Sequence, residues 1–131
     1  MSDGLARTRV AKYDPEGRFI TNFAVPGAAN AFGIKVLCDE EGNNGFTIAS
    51  GKGKKTLTVD YSNPPFELQE GEDLTLRVFI DKNLIEVFAN DRQAALAWHE
   101  YDLQDLHVSL FSKGGDLKVK NVSAWQMKSI W

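Results

Sequence analysis

From Phe32 onward, apolar and polar positions alternate in short runs separated by glycine and asparagine, the pattern of half-buried β-strands. Phe32, Ile34, Val36 and Cys38 alternate with Gly33, Lys35 and Leu37, which predicts a strand. Asp39-Glu40-Glu41-Gly42-Asn43-Asn44-Gly45 is rich in residues that adopt positive φ and reads as a turn. Phe46 and Ile48 resume a strand, Gly51-Lys52-Gly53-Lys54-Lys55 turns again, and Leu57 and Val59 continue. Asn63-Pro64-Pro65 interrupts regular structure, because proline offers no donor to a ladder. Leu74, Leu76, Val78 and Ile80 mark the clearest strand. Segments 84–89, 94–98 and 107–112 follow, and a turn at Lys113-Gly114-Gly115-Asp116 leads into a last strand over 117–125. Helical periodicity is hard to find. Roughly ten short strands spaced by turn signals predict an all-β fold, a sandwich or a barrel. No Pro- or Ser-rich linker and no internal repeat divides the chain, so residues 1–131 read as a single domain. Trp125 and Trp131 so close to the end predict a docked C-terminal segment.

The strongest local geometry is the hairpin of residues 74–91. With Lys82-Asn83 as a two-residue turn, Asp81 lies opposite Leu84, Ile80 opposite Ile85, Phe79 opposite Glu86, Val78 opposite Val87 and Arg77 opposite Phe88. Leu76, Val78, Ile80, Ile85 and Val87 then share an aliphatic face that belongs in the core. The other face carries Arg77, Phe79, Asp81, Leu84, Glu86 and Phe88. Two arrangements fit it. Arg77 can pair with the diagonal Glu86 while the rings pack under a loop. Alternatively, the face is a sugar site in which the carboxylates and the guanidinium hydrogen-bond hydroxyls and a ring stacks on the sugar's C–H face. A one-residue shift in the turn would exchange the two faces.

Composition narrows the function classes. The chain has 131 residues, and 15 Lys+Arg against 18 Asp+Glu give a net charge of −3, which favours neither nucleic acid nor an anionic membrane. No run of apolar residues is long enough to span a bilayer as a helix, and residues 1–5 show no export signal. Cys38 is the single cysteine, so neither an intrachain disulfide nor a multi-cysteine metal site can form. His107 with Cys38 makes no zinc spacing, and the acidic turn at 39–45 lacks the ligand pattern of a helix-loop calcium site, so no metal and no cofactor are expected. Trp98 follows Ala94 and Leu96 at period two and reads as a core residue, with His99 a surface residue at a strand end. Asp14-Pro15-Glu16-Gly17 reads as a turn.

At the hairpin the chain takes on a family likeness. Leu76-Arg77-Val78-Phe79-Ile80-Asp81-Lys82-Asn83-Leu84-Ile85-Glu86-Val87-Phe88-Ala89-Asn90-Asp91 resembles the most characteristic stretch of the C-terminal β-sandwich of glycoside hydrolase family 32, the invertases, levanases, inulinases and related β-fructosidases. Ala31-Phe32-Gly33-Ile34-Lys35-Val36 resembles an early strand of that module. Leu57-Thr58-Val59-Asp60-Tyr61-Ser62 resembles the strand leading into its middle loop, and residues 119–131 resemble its closing strand. The likeness covers about residues 5–131. Two departures stand out: Lys82-Asn83 replaces the family's usual Arg-Ser, and Ala94-Ala95-Leu96-Ala97-Trp98-His99-Glu100-Tyr101 replaces a Thr-x-Arg-x-Phe-Pro-like strand. Lysine lacks the planar fork of arginine.

The resemblance implies a concanavalin- or jelly-roll-like sandwich of two antiparallel sheets with about five to six strands each. In that family the nucleophile, the transition-state-stabilising aspartate and the acid/base glutamate lie on an N-terminal five-bladed propeller, which this sequence does not contain. The expectation is therefore a non-catalytic accessory module. It is similar also to family 66 carbohydrate-binding modules, which implies a fructose-containing oligo- or polysaccharide as partner. Arg77, Asp81 and Glu86 would be the hydroxyl ligands, and Phe79 or Trp98 a stacking surface. The alternative role is structural, as oligomerisation contact or support for a family 32 catalytic domain. No feature of the sequence assigns a compartment.

Overall fold

A computed structural model describes residues 5–9, 16–23, 30–51, 53–100, 107–115 and 119–126. Among the described residues ten strands run in chain order: β1 (Leu5–Arg9), β2 (Glu16–Phe23), β3 (Ala31–Cys38), β4 (Phe46–Gly51), β5 (Thr58–Val59), β6 (Leu74–Asp81), β7 (Leu84–Ala89), β8 (Gln93–Trp98), β9 (His107–Lys113) and β10 (Val119–Gln126). They form two five-stranded sheets, ordered β1-β9-β3-β4-β5 and β10-β2-β6-β7-β8, and every pairing is antiparallel. The all-β class read from the alternation is observed, and of its two forms the structure has the two-sheet antiparallel sandwich that the family likeness implies. The Trp131 end lies outside the described residues, as do Asp14 and Pro15; Glu16 and Gly17 are not a turn but open β2, opposite Asp81 and Ile80.

The core lies between the sheets. β3 and β4 contribute Phe32, Ile34, Val36, Phe46 and Ile48, and β9 contributes Val108 and Leu110. β6 and β7 contribute Leu74, Leu76, Val78, Ile80, Ile85, Val87 and Ala89. Burial alternates residue by residue along β6 and β7, because one face meets the opposite sheet and the other does not. Leu57, Val59 and Phe66, from the segment joining β4 to β6, close the core at the β5 end.

Simple alternation fails in β3. Leu37, on the polar side of the pattern, is fully buried beside Val36 and Cys38. Lys35 lies opposite Ser109, yet Cys38 lies opposite His107, so β3 carries one residue more than β9 over this stretch. That bulge, with Leu37 at φ 54°, reverses the inward side of the strand. The Cys38 thiol donates to the carbonyl oxygen of His107 at 3.2 Å.

β3 and β4 approach so closely at Gly33 that a Cβ there would sit 1.9 Å from the carbonyl oxygen of Ile48. Because the obstacle is backbone, it cannot rotate away. Gly33→Ala is therefore expected to lower unfolding stability by about 1–3 kcal/mol or to abolish folding, read as a drop in the urea midpoint. An unchanged midpoint would mean that the two strands are not packed this tightly.

Candidate functional site

The hairpin has the register set by a two-residue turn: Asp81 opposite Leu84, Phe79 opposite Glu86, Arg77 opposite Phe88. Lys82 takes φ 58° at the turn, a conformation a non-glycine residue accepts where the ladders on either side hold it. Arg77, Phe79, Asp81, Leu84, Glu86 and Phe88 thus share the face turned away from the core. Phe79 and Phe88 meet edge to face, with ring centroids 5.8 Å apart.

Arg77 does not pair with Glu86. Its guanidinium donates to Asp91 Oδ2 at 2.9 Å, at the far end of the hairpin from the Lys82 turn. Asp91 belongs to the three-residue turn Asn90-Asp91-Arg92 between β7 and β8, where Asn90 and Asp91 both have positive φ. Asn90 fixes that turn. Its Oδ1 accepts the Thr75 amide at 2.6 Å, and its Nδ2 donates to the Asp73 carbonyl at 2.9 Å. Among the described residues, the carboxylates of Asp81 and Glu86 have no cationic partner, and both are exposed.

The same turn sets the register of β8, with Leu96 opposite Glu86 and Trp98 opposite Leu84. Trp98 is therefore not in the core. Ala97 faces inward and Ala95 packs at the core's margin, while Leu96 and Trp98 are 57 % and 59 % exposed. The period of two was legible; the face was set by the turn, which strand periodicity does not encode. The outer surface is thereby organised in rows across the strands. Asp81, Leu84 and Trp98 form one row, Phe79, Glu86 and Leu96 the next, and Arg77, Phe88 and Ala94 the third. Rows two residues apart are separated by about 7 Å, so Arg77 and Asp81 start about 13 Å apart. Trp98, Asp81 and Glu86 thus form one group near the Lys82 turn, and Arg77 with Asp91 forms another.

His99 is not a simple surface residue either. Its Nδ1 lies 3.4 Å from Asp60 Oδ2 and its Nε2 3.3 Å from the Asn44 carbonyl oxygen. Its ring meets Phe46 edge to face at 5.6 Å, and its amide donates to Asn83 at 2.9 Å. It ties the end of β8 to the β3–β4 loop, the turn after β5 and the β6–β7 turn. The acidic turn at 39–45 is closed on itself: Asp39 Oδ1 accepts the amides of Glu41 and Asn43, each at 2.8 Å. Those amides, chiefly that of Asn43, hold the Asp39 carboxyl below its ordinary range. Among the described residues, no three His, Cys, Asp or Glu side chains converge as a metal site.

Behind β8, the segment 60–73 is clamped by Arg92. Its guanidinium forks onto Glu72, donates to the Glu67 carbonyl at 2.7 Å and stacks over Phe66 at 4.8 Å. Gln93 Nε2 adds a bond to the Pro65 carbonyl at 2.6 Å. Arg92, Asn90 and Asp91 escaped the sequence reading because their partners lie on other elements. The Asn-Asp pair after β7 was the available signal, as a positive-φ turn.

Among the described residues the chain is thus a two-sheet antiparallel β-sandwich with exposed carboxylates and an exposed tryptophan on the outer face of one sheet. The chain belongs to the glycosyl hydrolases family 32 C-terminal family, whose model matches residues 5–126. Levanase from Bacillus subtilis (strain 168) is 29 % identical over 123 residues, 81 % of this chain and 18 % of that protein. Raffinose invertase from Escherichia coli is 37 % identical over 62 residues, 47 % of this chain and 13 % of that protein. The chain thus spans less than a fifth of the length of these curated relatives. A fructosyltransferase from A. japonicus shares the fold at TM-score 0.80 with 19 % identity, over 96 % of this chain and 25 % of that one. The carbohydrate-binding module CBM66 from Bacillus subtilis does so at TM-score 0.77 with 11 % identity, over 95 % of this chain and 83 % of that one. The last match covers nearly all of its partner, so the same sandwich also constitutes most of a binding module.

The Arg92 clamp makes a pH prediction. The Arg92 guanidinium holds the Glu72 carboxyl down to about 2 from the ordinary 4.5. A depressed carboxyl stabilises the fold fully above 4.5, and that contribution is lost as pH falls through the interval down to about 2. Glu72→Gln should cost about 1 kcal/mol or less at pH 7, because Arg92 is largely exposed, and should flatten the loss of stability between those pH values. Thermal unfolding of both proteins across that range measures it, and parallel curves would show the pair to be energetically idle.

Proposed function

We propose that this chain is a non-catalytic module that binds the fructose units of a fructan through the outer face of β6, β7 and β8. The observation that carries the proposal is the group formed by Trp98, Glu86 and Asp81. Trp98 exposes its indole on the same face as two carboxylates with no cationic partner among the described residues. An indole offers a flat apolar platform to a sugar's C–H face, and ionised carboxylates are acceptors for neighbouring hydroxyls. Phe79, between the rows of Asp81 and Arg77, braces the floor through Phe88. Arg77, held by Asp91 two rows away, is a flanking ligand for a bound chain rather than a contact to the sugar unit on Trp98. Membership of family 32 and similarity to a carbohydrate-binding module support a fructan as the ligand class. A family 32 catalytic domain is the second proposed partner, since the curated relatives extend far beyond the region matched.

Calorimetric titration of the chain with fructose, levan and inulin tests the proposal. Saturable binding is expected, weakened about tenfold or more by Trp98→Ala and by Glu86→Ala, and less by Arg77→Ala. Both positions are exposed, so the unfolding midpoint should stay within about 0.5 kcal/mol of the parent. Absence of binding to all three sugars would overturn the reading and leave the exposed face of β8 as a contact for a catalytic domain. The isolated chain is further expected to release no fructose from sucrose, levan or inulin. Turnover that persists through repurification and scales with protein would contradict the non-catalytic assignment.

A further inference from the structure

Tyr61, Leu96 and Trp98 are the exposed large apolar side chains among the described residues; Leu96 and Trp98 share the outer face of β8, and the Tyr61 hydroxyl meets the Trp98 backbone. Tyr61 is 67 % exposed, yet it is held in place. Its hydroxyl accepts the Trp98 amide at 3.3 Å. Reciprocal backbone bonds between Val59 and Ser62, at 2.8 and 2.9 Å, close the turn that carries it, with Asp60 at φ 53°. Asp60 in turn faces the His99 ring at the end of β8.

β8 is the edge of its sheet, and the Trp98 amide is taken by Tyr61 instead of by β7. The tyrosine therefore stands beside Trp98 on the side where a further strand would lie. Tyr61 thus stands at the edge of the sheet, at the Trp98 end of the row Asp81, Leu84, Trp98. A ring that is anchored at its hydroxyl and open on its flanks contributes little to the core, but it is ready to bind an apolar surface without ordering cost.

We propose that Tyr61 forms a second sugar subsite next to Trp98, so that the module takes a chain of fructose units running across the strands rather than a single monosaccharide. The inference rests on the fructan-binding reading above and adds to it the length and direction of the ligand. One sugar unit occupies Trp98 with Glu86 and Asp81, and the adjoining unit packs on the Tyr61 ring. Leu96, one row away from Trp98, borders the track.

The test is titration with fructose and with levan and inulin tetrasaccharides, for the parent chain, Tyr61→Ala and Tyr61→Phe. The parent is expected to bind a tetrasaccharide more tightly than fructose. Tyr61→Ala should leave fructose affinity unchanged and weaken the tetrasaccharide about fivefold or more. Tyr61→Phe, which keeps the ring but loses its anchor on the Trp98 amide, should weaken the tetrasaccharide less than Tyr61→Ala does. Equal weakening of both ligands by Tyr61→Ala would show that Tyr61 merely props Trp98, and no effect on either would remove it from the site; each result overturns the subsite while the fructan reading stands. Failure of the parent to bind any of the sugars would remove both together.

Discussion

The register of the β6–β7 hairpin is the constraint on which the rest of the structure depends. Side chains alternate with a period of two, so a one-residue slip would send Val78, Ile80, Ile85 and Val87 to solvent and Arg77, Asp81 and Glu86 into the sandwich. Burying those charges without partners would cost more than the fold could tolerate. Lys82 resolves the choice by accepting a left-handed φ in a two-residue turn. β2 pairs with β6 on one side and β8 with β7 on the other, so the hairpin register propagates through four strands of this sheet. What it sets in common for β6, β7 and β8 is an aliphatic inner face and an outer face where charge and aromatic rings coexist.

Around that sheet, polar contacts fasten irregular segments that alternation cannot organise. Asn90 bonds the start of β6, Arg92 clamps the segment 60–73 through Glu72 and Phe66, and His99 gathers three loops at the end of β8. The Arg92–Glu72 pair is worth little alone, since both side chains lie partly in water. The consequence of these contacts is geometric. They hold the chain from Asp60 to Phe66 alongside the edge strand, where an uncovered ladder would otherwise invite pairing with another chain. They also hold the surroundings of Trp98 still, which lowers the ordering cost of any ligand that uses it.

The sandwich separates packing from surface chemistry. The described core residues come from both sheets, while charged side chains and Trp98 lie on the outer face of one of them. A flat face can stack and hydrogen-bond a polyol. Asp81 and Glu86 lie diagonally on neighbouring strands of that outer face, and both are exposed.

The amino-acid pattern by itself determined the all-β class, the hairpin with its turn, the aliphatic inner face and the family likeness, which the matched residues 5–126 establish. These are local features: a period of two and a two-residue turn are written into neighbouring residues. Where one extra residue entered a strand, locality failed. The bulge at Leu37 and the three-residue turn before Gln93 each change which side faces inward, so Leu37 is buried and Trp98 is exposed against the simple alternation. The partners of Arg77, Arg92 and His99 were also decided by tertiary structure, since each pairs across 14 to 55 residues of chain. The sequence names the residues of the face; the folded chain neutralises Arg77 and leaves Asp81 and Glu86 beside an exposed Trp98, because ion pairing depends on distance in space and not along the chain.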